Sequence, residues 1–288
     1  MIKVENKVVL GILCILISGF GFALMSLFVK LSGNLPAMQK GFFRNLIAVI
    51  ISAIPFFKHR SLIKMPQNKK QWWILLIRAV FGTLGLVANF YAISNINLAD
   101  ASIIQKLSPF IILILSYFIF KEKMNKFQIF SVILAFIGVL FIIKPSFSGL
   151  ITKGSAAALL AALCTGIAYT CVRYLGVKKI SGEFIIFFFS FFSCLALAPF
   201  LIFDYKPMTL YQLTMLFLAG CSATIGQYGV TFAYRFAPAK NIAAFDYAQV
   251  LFAGLLGFIF FSEIPDFYSL IGYFTVIVVG VSLAFKSK

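Results

Sequence analysis

Long apolar stretches alternate with short polar ones along all 288 residues of the chain. A membrane's hydrocarbon core, about 30 Å thick, is crossed by roughly 20 helical residues. Ten stretches have this length and contain at most one charge. They are Val8–Val29, Met38–Phe57, Trp72–Ile93, Ala101–Phe120, Phe127–Ile143, Gly154–Val172, Phe184–Phe203, Leu210–Tyr234, Asn241–Ser262 and Phe267–Phe285. Because backbone amides in lipid have no water to bond, we expect all ten to be transmembrane helices.

Composition indicates the same class of protein. Hydrophobic residues make up 62% of the chain and charged residues only 11%, and 36 residues are phenylalanine. A soluble domain of this size could not bury that much apolar surface. We therefore predict an all-α integral membrane protein. The five cysteines lie inside the predicted spans without CxxC spacing, so we expect packing residues rather than a disulfide or metal set, and no cofactor.

The formal net charge of +17 is concentrated in the short loops beside the membrane. If the N-terminus is cytoplasmic, 17 of the 25 Lys and Arg residues fall on the cytoplasmic side, as the positive-inside rule requires. The basic balance thus indicates a lipid bilayer rather than nucleic acid as the partner. We predict a multi-pass protein of the plasma (inner) membrane, monomer or dimer, with both termini cytoplasmic.

The chain also repeats itself at a spacing of 141 residues. The identical pairs are Gly85 and Gly226, Ala92 and Ala233, Leu115 and Leu256, Phe120 and Phe261, and Glu122 and Glu263. Two copies of five spans must lie in the membrane in opposite orientations, because five is odd. We predict two inverted five-helix repeats (5+5), residues 1–146 and 147–288. Such a pair exchanges inward-open and outward-open states when the copies swap conformations.

Several motifs resemble the repeat of the EamA family in the drug/metabolite transporter superfamily. The first copy carries Arg78 to Gly82 (RAVFG), Phe90 to Ile93 (FYAI), Leu98 to Ala101 (LADA), Pro109, Phe120 to Lys123 (FKEK), and Gly138 with Val139. The second copy carries Tyr234, Ala239, Gln249, Glu263, Gly272 and Gly280, with Val250 in place of the proline. The resemblance implies a central cavity lined by spans one, three, four, six, eight and nine. It leaves the substrate open, because the family includes exporters and importers of amino acids, drugs, nucleobases, choline and adenosyl compounds.

Charged residues inside spans are costly and often functional. Arg78 and Asp246 lie about 9 and 8 Å inside the predicted cytoplasmic ends of their helices. We hypothesise that they face each other as an ion pair or as a clamp for the two ends of a zwitterion. Alternatively, both extend to the interface. Asp246 is the one acid inside a span, which makes it the candidate site for a coupling proton or cation.

Two further cations, Lys106 and Arg44, lie about 8 and 9 Å from the predicted outer ends of their helices. They could receive a carboxylate or phosphate from outside, or they could anchor to lipid phosphate. Pro109 predicts a kink within the fourth span. Polar and aromatic residues in the spans whose family counterparts line the cavity complete the predicted substrate site. The site residues are Arg78, Asn89, Gln105, Lys106, Tyr169, Gln227, Tyr228, Tyr234, Asp246, Tyr247 and Gln249.

These features predict a secondary transporter of small amphiphilic metabolites. The preferred substrates are amino acids or amino-acid-derived compounds, adenosylmethionine-like ones included, moved by alternating access. The chain contains no GxxxxGK[ST] motif for ATP, and we expect no enzyme activity. The alternatives are a flippase or a membrane enzyme acting on lipid or isoprenoid substrates, but His59 alone and Asp266 beside Glu263 are too sparse for that chemistry. Lipid turnover by purified protein would distinguish the enzyme from a transporter.

Overall fold

The computed structural model describes residues 4–58, 63–95, 104–143, 152–262 and 265–286. Within these ranges the chain forms helices and no strand. We number the helices α1 (Val4–Leu31), α2 (Ala37–Lys58), α3 (Lys69–Asn95), α4 (Ser108–Phe120), α5 (Lys126–Ile143), α6 (Lys153–Val177), α7 (Gly182–Phe203), α8 (Leu210–Phe236), α9 (Ala239–Ile242), α10 (Ala248–Phe261) and α11 (Phe267–Lys286). A 3₁₀ segment, Ala243–Tyr247, joins α9 to α10.

The described helices account for ten membrane spans, as predicted, when α9, the 3₁₀ segment and α10 are counted as one. Among the described residues, seven segments are long and apolar enough to cross a membrane. One of them, Ala239–Phe261, consists of α9, the 3₁₀ segment and α10 together and corresponds to the ninth predicted span. Three shorter apolar helices, within α4, α5 and α11, bring the total to ten. The prediction of an all-α membrane protein is therefore confirmed, and each of the ten apolar stretches contains helix.

The fourth and ninth spans are not the continuous helices that we predicted. The chain turns at Lys106 and Leu107, and α4 begins only at Ser108 with Pro109 in its first turn. Proline is well placed there, because its missing N–H has no partner at a helix start and its φ is already helical. The predicted kink is therefore a helix start. The ninth span narrows to the 3₁₀ segment Ala243–Tyr247 before α10 continues.

Element boundaries recur at the 141-residue spacing. α3 begins at Lys69 and α8 at Leu210, 141 positions apart. α4 and α10 are each followed by a residue with left-handed backbone. These residues, Lys121 (φ 56°) and Ser262 (φ 54°), are again 141 positions apart. The breaks in the fourth and ninth spans fall at corresponding places as well.

The helix pairings follow a matching pattern. α1 packs against α8 and α10, while α6 packs against α3 and α4. α2 packs against α8 as α7 packs against α3, and α2 also packs against α7, as α5 does against α11. A twofold axis that exchanges the first five helices with the later ones would generate these pairings.

Small residues let α1 and α8 touch along their backbones. A Cβ atom at Gly229 would lie 2.7 Å from the Cys14 carbonyl oxygen and the Ser18 amide nitrogen, and one at Gly21 would lie 2.7 Å from the Gly226 nitrogen. The Ser18 hydroxyl donates a hydrogen bond to the Gly226 carbonyl at 2.8 Å. Close approach of this kind is typical of helices packed in membranes. The backbones of α1 and α8 are therefore in direct contact over this stretch.

The outward faces of the bundle are apolar. Phe118, Phe203 and Phe274, on α4, α7 and α11, are exposed, as expected for side chains that contact lipid tails. All five cysteines are free thiols. Polar side chains are gathered instead in the middle of the bundle, where the candidate site lies.

Candidate functional site

A cavity of about 180 Å³ lies in the centre of the bundle. Its lining comes from eight segments: α1, α2, α3, the residues before α4, α6, α7, α8 and α10. The polar lining side chains are Arg44, Arg78, Asn89, Gln105, Thr165, Tyr169, Gln227 and Gln249. Six of the eight are residues that the sequence predicted for the substrate site.

Arg78 is buried at this cavity, with only 1% of its surface exposed. Its Nη2 donates a hydrogen bond to Gln227 Oε1 at 3.2 Å. The guanidinium carbon lies 4.0 Å from the centre of the Phe189 ring and 6.0 Å from that of Tyr169, which are cation–π distances. Gly82 makes this position possible, because a Cβ there would collide with Arg78 Nη1. The side chain is held in the cavity and does not extend to the interface.

Arg44 is the second buried guanidinium of the cavity, 5% exposed. Its Nε has no hydrogen-bond acceptor. The sequence identified Arg44 as a charge inside a span that could receive an anion or anchor to lipid phosphate, and the predicted site set omits it. Its charge inside a predicted span is the signal by which the sequence could have included it.

The predicted ion pair between Arg78 and Asp246 does not form. Lys106 Nζ lies 3.1 Å from Asp246 Oδ2 and also donates to the Asp246 carbonyl at 3.2 Å. Its third hydrogen bond goes to Gln249 Oε1 at 2.9 Å. Gln249 lines the cavity, and we call the network of Lys106, Asp246 and Gln249 the cavity floor. The predicted pairing was wrong because the fourth and ninth spans are both broken beside Lys106 and Asp246, which brings these two residues together instead.

The predicted tyrosines occupy three different environments. Tyr169 lines the cavity, and its ring centre lies 5.8 Å from that of the buried Tyr234. Tyr247 lies below the floor and donates its hydroxyl proton to the Lys106 carbonyl at 3.3 Å. Tyr228 is not at the cavity: it lines a separate apolar groove with Cys14. The structure thus places Tyr169 at the cavity, Tyr234 and Tyr247 behind it, and Tyr228 elsewhere.

A wider vestibule of about 430 Å³ adjoins the cavity. Met25, Arg44 and Asn89 line both spaces. The vestibule is formed by the last turns of α1, α3 and α10 and the start of α2. We call this the open end of the bundle. Its walls carry Lys30, with Nζ 3.9 Å from the Phe261 ring centre, and Lys40.

The opposite end of the bundle, the closed end, is joined by polar contacts. Arg173 Nη2 lies 3.1 Å from Glu122 Oε1, and Arg173 Nη1 donates to the Tyr234 carbonyl at 3.0 Å. The other carboxylate oxygen of Glu122 accepts the Ala239 N–H at 3.2 Å. One glutamate therefore connects the end of α4, α6 and the start of α9. These elements would have to separate to open a path here.

A bundle of apolar helices around a polar cavity that is open at one end defines a membrane transporter. The chain belongs to the EamA-like transporter family, whose model matches residues 9–144 and 152–285. The resemblance drawn from the motifs is thereby confirmed, and the two matches place one family unit in each half of the chain.

Two curated relatives and one solved structure illustrate the likeness. The pseudopaline exporter CntI of Pseudomonas aeruginosa is 29% identical, covering 96% of this chain and 97% of its own length. Solute carrier family 35 member G1 of Mus musculus is 26% identical, covering 93% and 76%. A crystal structure that covers 99% of both chains matches with a TM-score of 0.82 at 14% identity, which shows a shared fold alone.

Proposed function

We propose that this protein is a secondary transporter of small amphiphilic metabolites, amino acids or amino-acid-derived compounds, that works by alternating access. In this proposal residues 1–146 and 147–288 are two inverted five-helix repeats. The recurrence of helix boundaries at a spacing of 141 residues and the exchanged helix pairings support the two repeats. Two such copies interconvert inward-open and outward-open states at little energetic difference.

The observation that carries the proposal is the difference between the two ends of the cavity. One end continues into the vestibule, whereas the other is closed by the Glu122–Arg173 pair and by the floor of Lys106, Asp246 and Gln249. A channel would need a pore open to both sides. A cavity that is accessible from one end alone is what a carrier needs in one of its two states.

Orientation in the membrane follows from charge. Lys121, Lys123 and Lys240 lie at the closed end, while Lys30 and Lys40 lie at the open end. The side of the membrane that carries the N-terminus also carries most of the basic residues. By the positive-inside rule, we propose that the closed end and both termini face the cytoplasm. The proposal is therefore an outward-open carrier of the inner membrane.

Asp246 is the proposed coupling site. Its carboxylate is 20% exposed and accepts from Lys106 Nζ, which also bonds the cavity residue Gln249. A proton or cation at Asp246 would compete with Lys106 for the carboxylate and so loosen the floor. Coupling would then act on the element that has to move when the cavity opens to the other side.

Transport is tested with purified protein in liposomes. We expect uptake of radiolabelled amino acids, or exchange against unlabelled internal substrate, that protein-free liposomes lack. Asp246→Asn is expected to abolish uptake while the protein still elutes as a single species in detergent. Asp204→Asn, at an exposed aspartate beyond the end of α7, is the matched control and should transport normally. Unaltered uptake by Asp246→Asn would reject the role of this carboxylate.

A further inference from the structure

The cavity holds two buried positive charges that the protein itself does not neutralise. Arg44 and Arg78 both line it, and neither forms an ion pair with any residue in the described ranges. Both Nε groups lack an acceptor, and the two guanidinium groups repel each other. Removing a charge from water costs several kcal/mol unless a partner compensates it. The site is therefore built for negative charge that comes from outside the chain.

The other charges near the cavity cancel. Lys106 pairs with Asp246, and the remaining polar lining consists of amides and hydroxyls. The cavity with its floor thus carries two net positive charges. A ligand with one carboxylate would leave one guanidinium uncompensated, and a cationic ligand would add to the repulsion. A ligand with two anionic groups would match both arginines.

Building on the transport function proposed above, we propose that the substrate is a small soluble organic molecule with two anionic groups, one for Arg44 and one for Arg78. Arginine suits this task because its planar fork of donors fits a carboxylate or phosphate. The amides of Asn89, Gln105 and Gln227 can bond the uncharged parts of the molecule. Acidic amino acids and amino-acid-derived dicarboxylates belong to this class.

The vestibule favours the same class of ligand. Lys40 lies on its wall, and the Lys40 ammonium donates to the carbonyls of Gly33 at 2.7 Å and Val29 at 3.4 Å. Carbonyl acceptors orient the ammonium but leave its charge in place. A cleft with positive walls raises the local concentration of anions. A dianion would therefore meet positive charge from the mouth of the vestibule to the cavity.

The first experiment measures the melting temperature of the purified full-length protein with graded probes. The probes are succinate, glutarate and adipate, each with two carboxylates, against butyrate with one and succinamide with none. A ligand that binds the folded state raises the melting temperature. We expect at least one diacid to do so, and butyrate and succinamide to have no effect at the same concentration. Equal protection by butyrate or succinamide, or no protection by any diacid, would overturn the proposal.

A lipid headgroup could also supply the anionic groups, and a second experiment distinguishes lipid from a soluble ligand. The protein is melted in mixed micelles that contain phosphatidylglycerol or phosphatidylcholine, with and without diacid. We expect diacid protection in both lipids. Protection by phosphatidylglycerol alone would assign the arginines to lipid and overturn the assignment of a soluble substrate.

Variants test the two arginines directly. Arg44→Gln and Arg78→Gln should each raise the Kd for the protecting diacid at least tenfold and reduce the preference for diacid over butyrate. Arg235→Gln, in the last turn of α8 and outside the cavity lining, is the matched control and should bind as the unmodified protein does. Unchanged diacid affinity in both cavity variants would contradict the proposal.

A measurement without ligand tests the uncompensated charge of Arg44 even if a variant binds no diacid. Arg44→Met replaces an uncompensated buried charge by an apolar side chain of similar length. We expect the ligand-free melting temperature to rise, because the desolvated charge is gone. A fall in melting temperature would mean that Arg44 stabilises the fold, and the inference would be wrong.

Failure of this inference differs from failure of the transport function. If diacids protect the protein but liposomes show no flux, the site is an anion site and the protein is not the proposed carrier. If neutral or cationic solutes are carried while no diacid protects, transport stands and the dianion assignment fails.

Discussion

The buried pair of Lys106 and Asp246 gives the sharpest quantitative prediction about the fold. The ammonium uses all three of its donors, on Asp246 Oδ2, the Asp246 carbonyl and Gln249 Oε1. Removing one member of a buried pair costs about 3–5 kcal/mol, since the other charge is left without compensation. The two side chains are 11% and 20% exposed, so we expect the low end of this range, about 3 kcal/mol.

A double-mutant cycle with Lys106→Met and Asp246→Asn tests this value. At about 2 °C per kcal/mol for a chain of this size, each single variant should lower the apparent melting temperature by about 6 °C or more. The double variant should lose less than the sum of the two, because no uncompensated charge remains. The measurement is thermal unfolding of detergent-solubilised protein, followed by the fluorescence of a thiol-reactive dye or of tryptophan.

Additive losses of stability in the double variant would contradict the contact between Lys106 and Asp246. If the double variant loses as much stability as the two single variants together, Lys106 and Asp246 do not interact in the folded protein. The cavity floor described above would then be wrong. Lys70→Met, at an exposed lysine in the first turn of α3, controls for loss of a lysine as such and should leave the melting temperature within about 1 °C.

Three further predictions concern the cavity and its two ends. Gly82→Ala should reduce transport in liposomes at least tenfold while the protein stays folded, because the new Cβ collides with Arg78 Nη1. The control Gly280→Ala, whose Cβ would have its nearest neighbour at 3.7 Å, should transport normally. Equal transport by the two variants would contradict the placement of Arg78. Ser26→Cys in the vestibule should react with a membrane-impermeant maleimide added outside intact cells, and labelling only after the cells are opened would reverse the proposed orientation. Glu122→Gln removes the ion pair at the closed end, so it should shift molecules toward the inward-open state. In the Ser26→Cys background this variant should slow maleimide labelling severalfold. Faster labelling would show that the ion pair does not hold the closed end shut.

The class of protein and the approximate positions of its helices could be predicted from the amino-acid pattern. Backbone groups cannot go unbonded in lipid, so a stretch of about 20 apolar residues has one available structure. For this reason the predicted span Leu210–Tyr234 differs from α8, Leu210–Phe236, by two residues at one end. Scarcity of charge also made the buried cations and Asp246 visible from the sequence, since each is costly inside a span.

Which of these charges meet depends on how the helices pack. Position along a span gives depth, but it does not give the direction in which a side chain points, and the depth itself shifts where a helix is broken. The turn at Lys106 and Leu107 and the 3₁₀ segment Ala243–Tyr247 bring Lys106 to Asp246. Arg78, which the depth estimate paired with Asp246, bonds Gln227 instead and shares the cavity with Arg44. Ion pairing depends on distances of a few ångströms between different helices, and these distances are fixed by packing rather than by the sequence of any one helix.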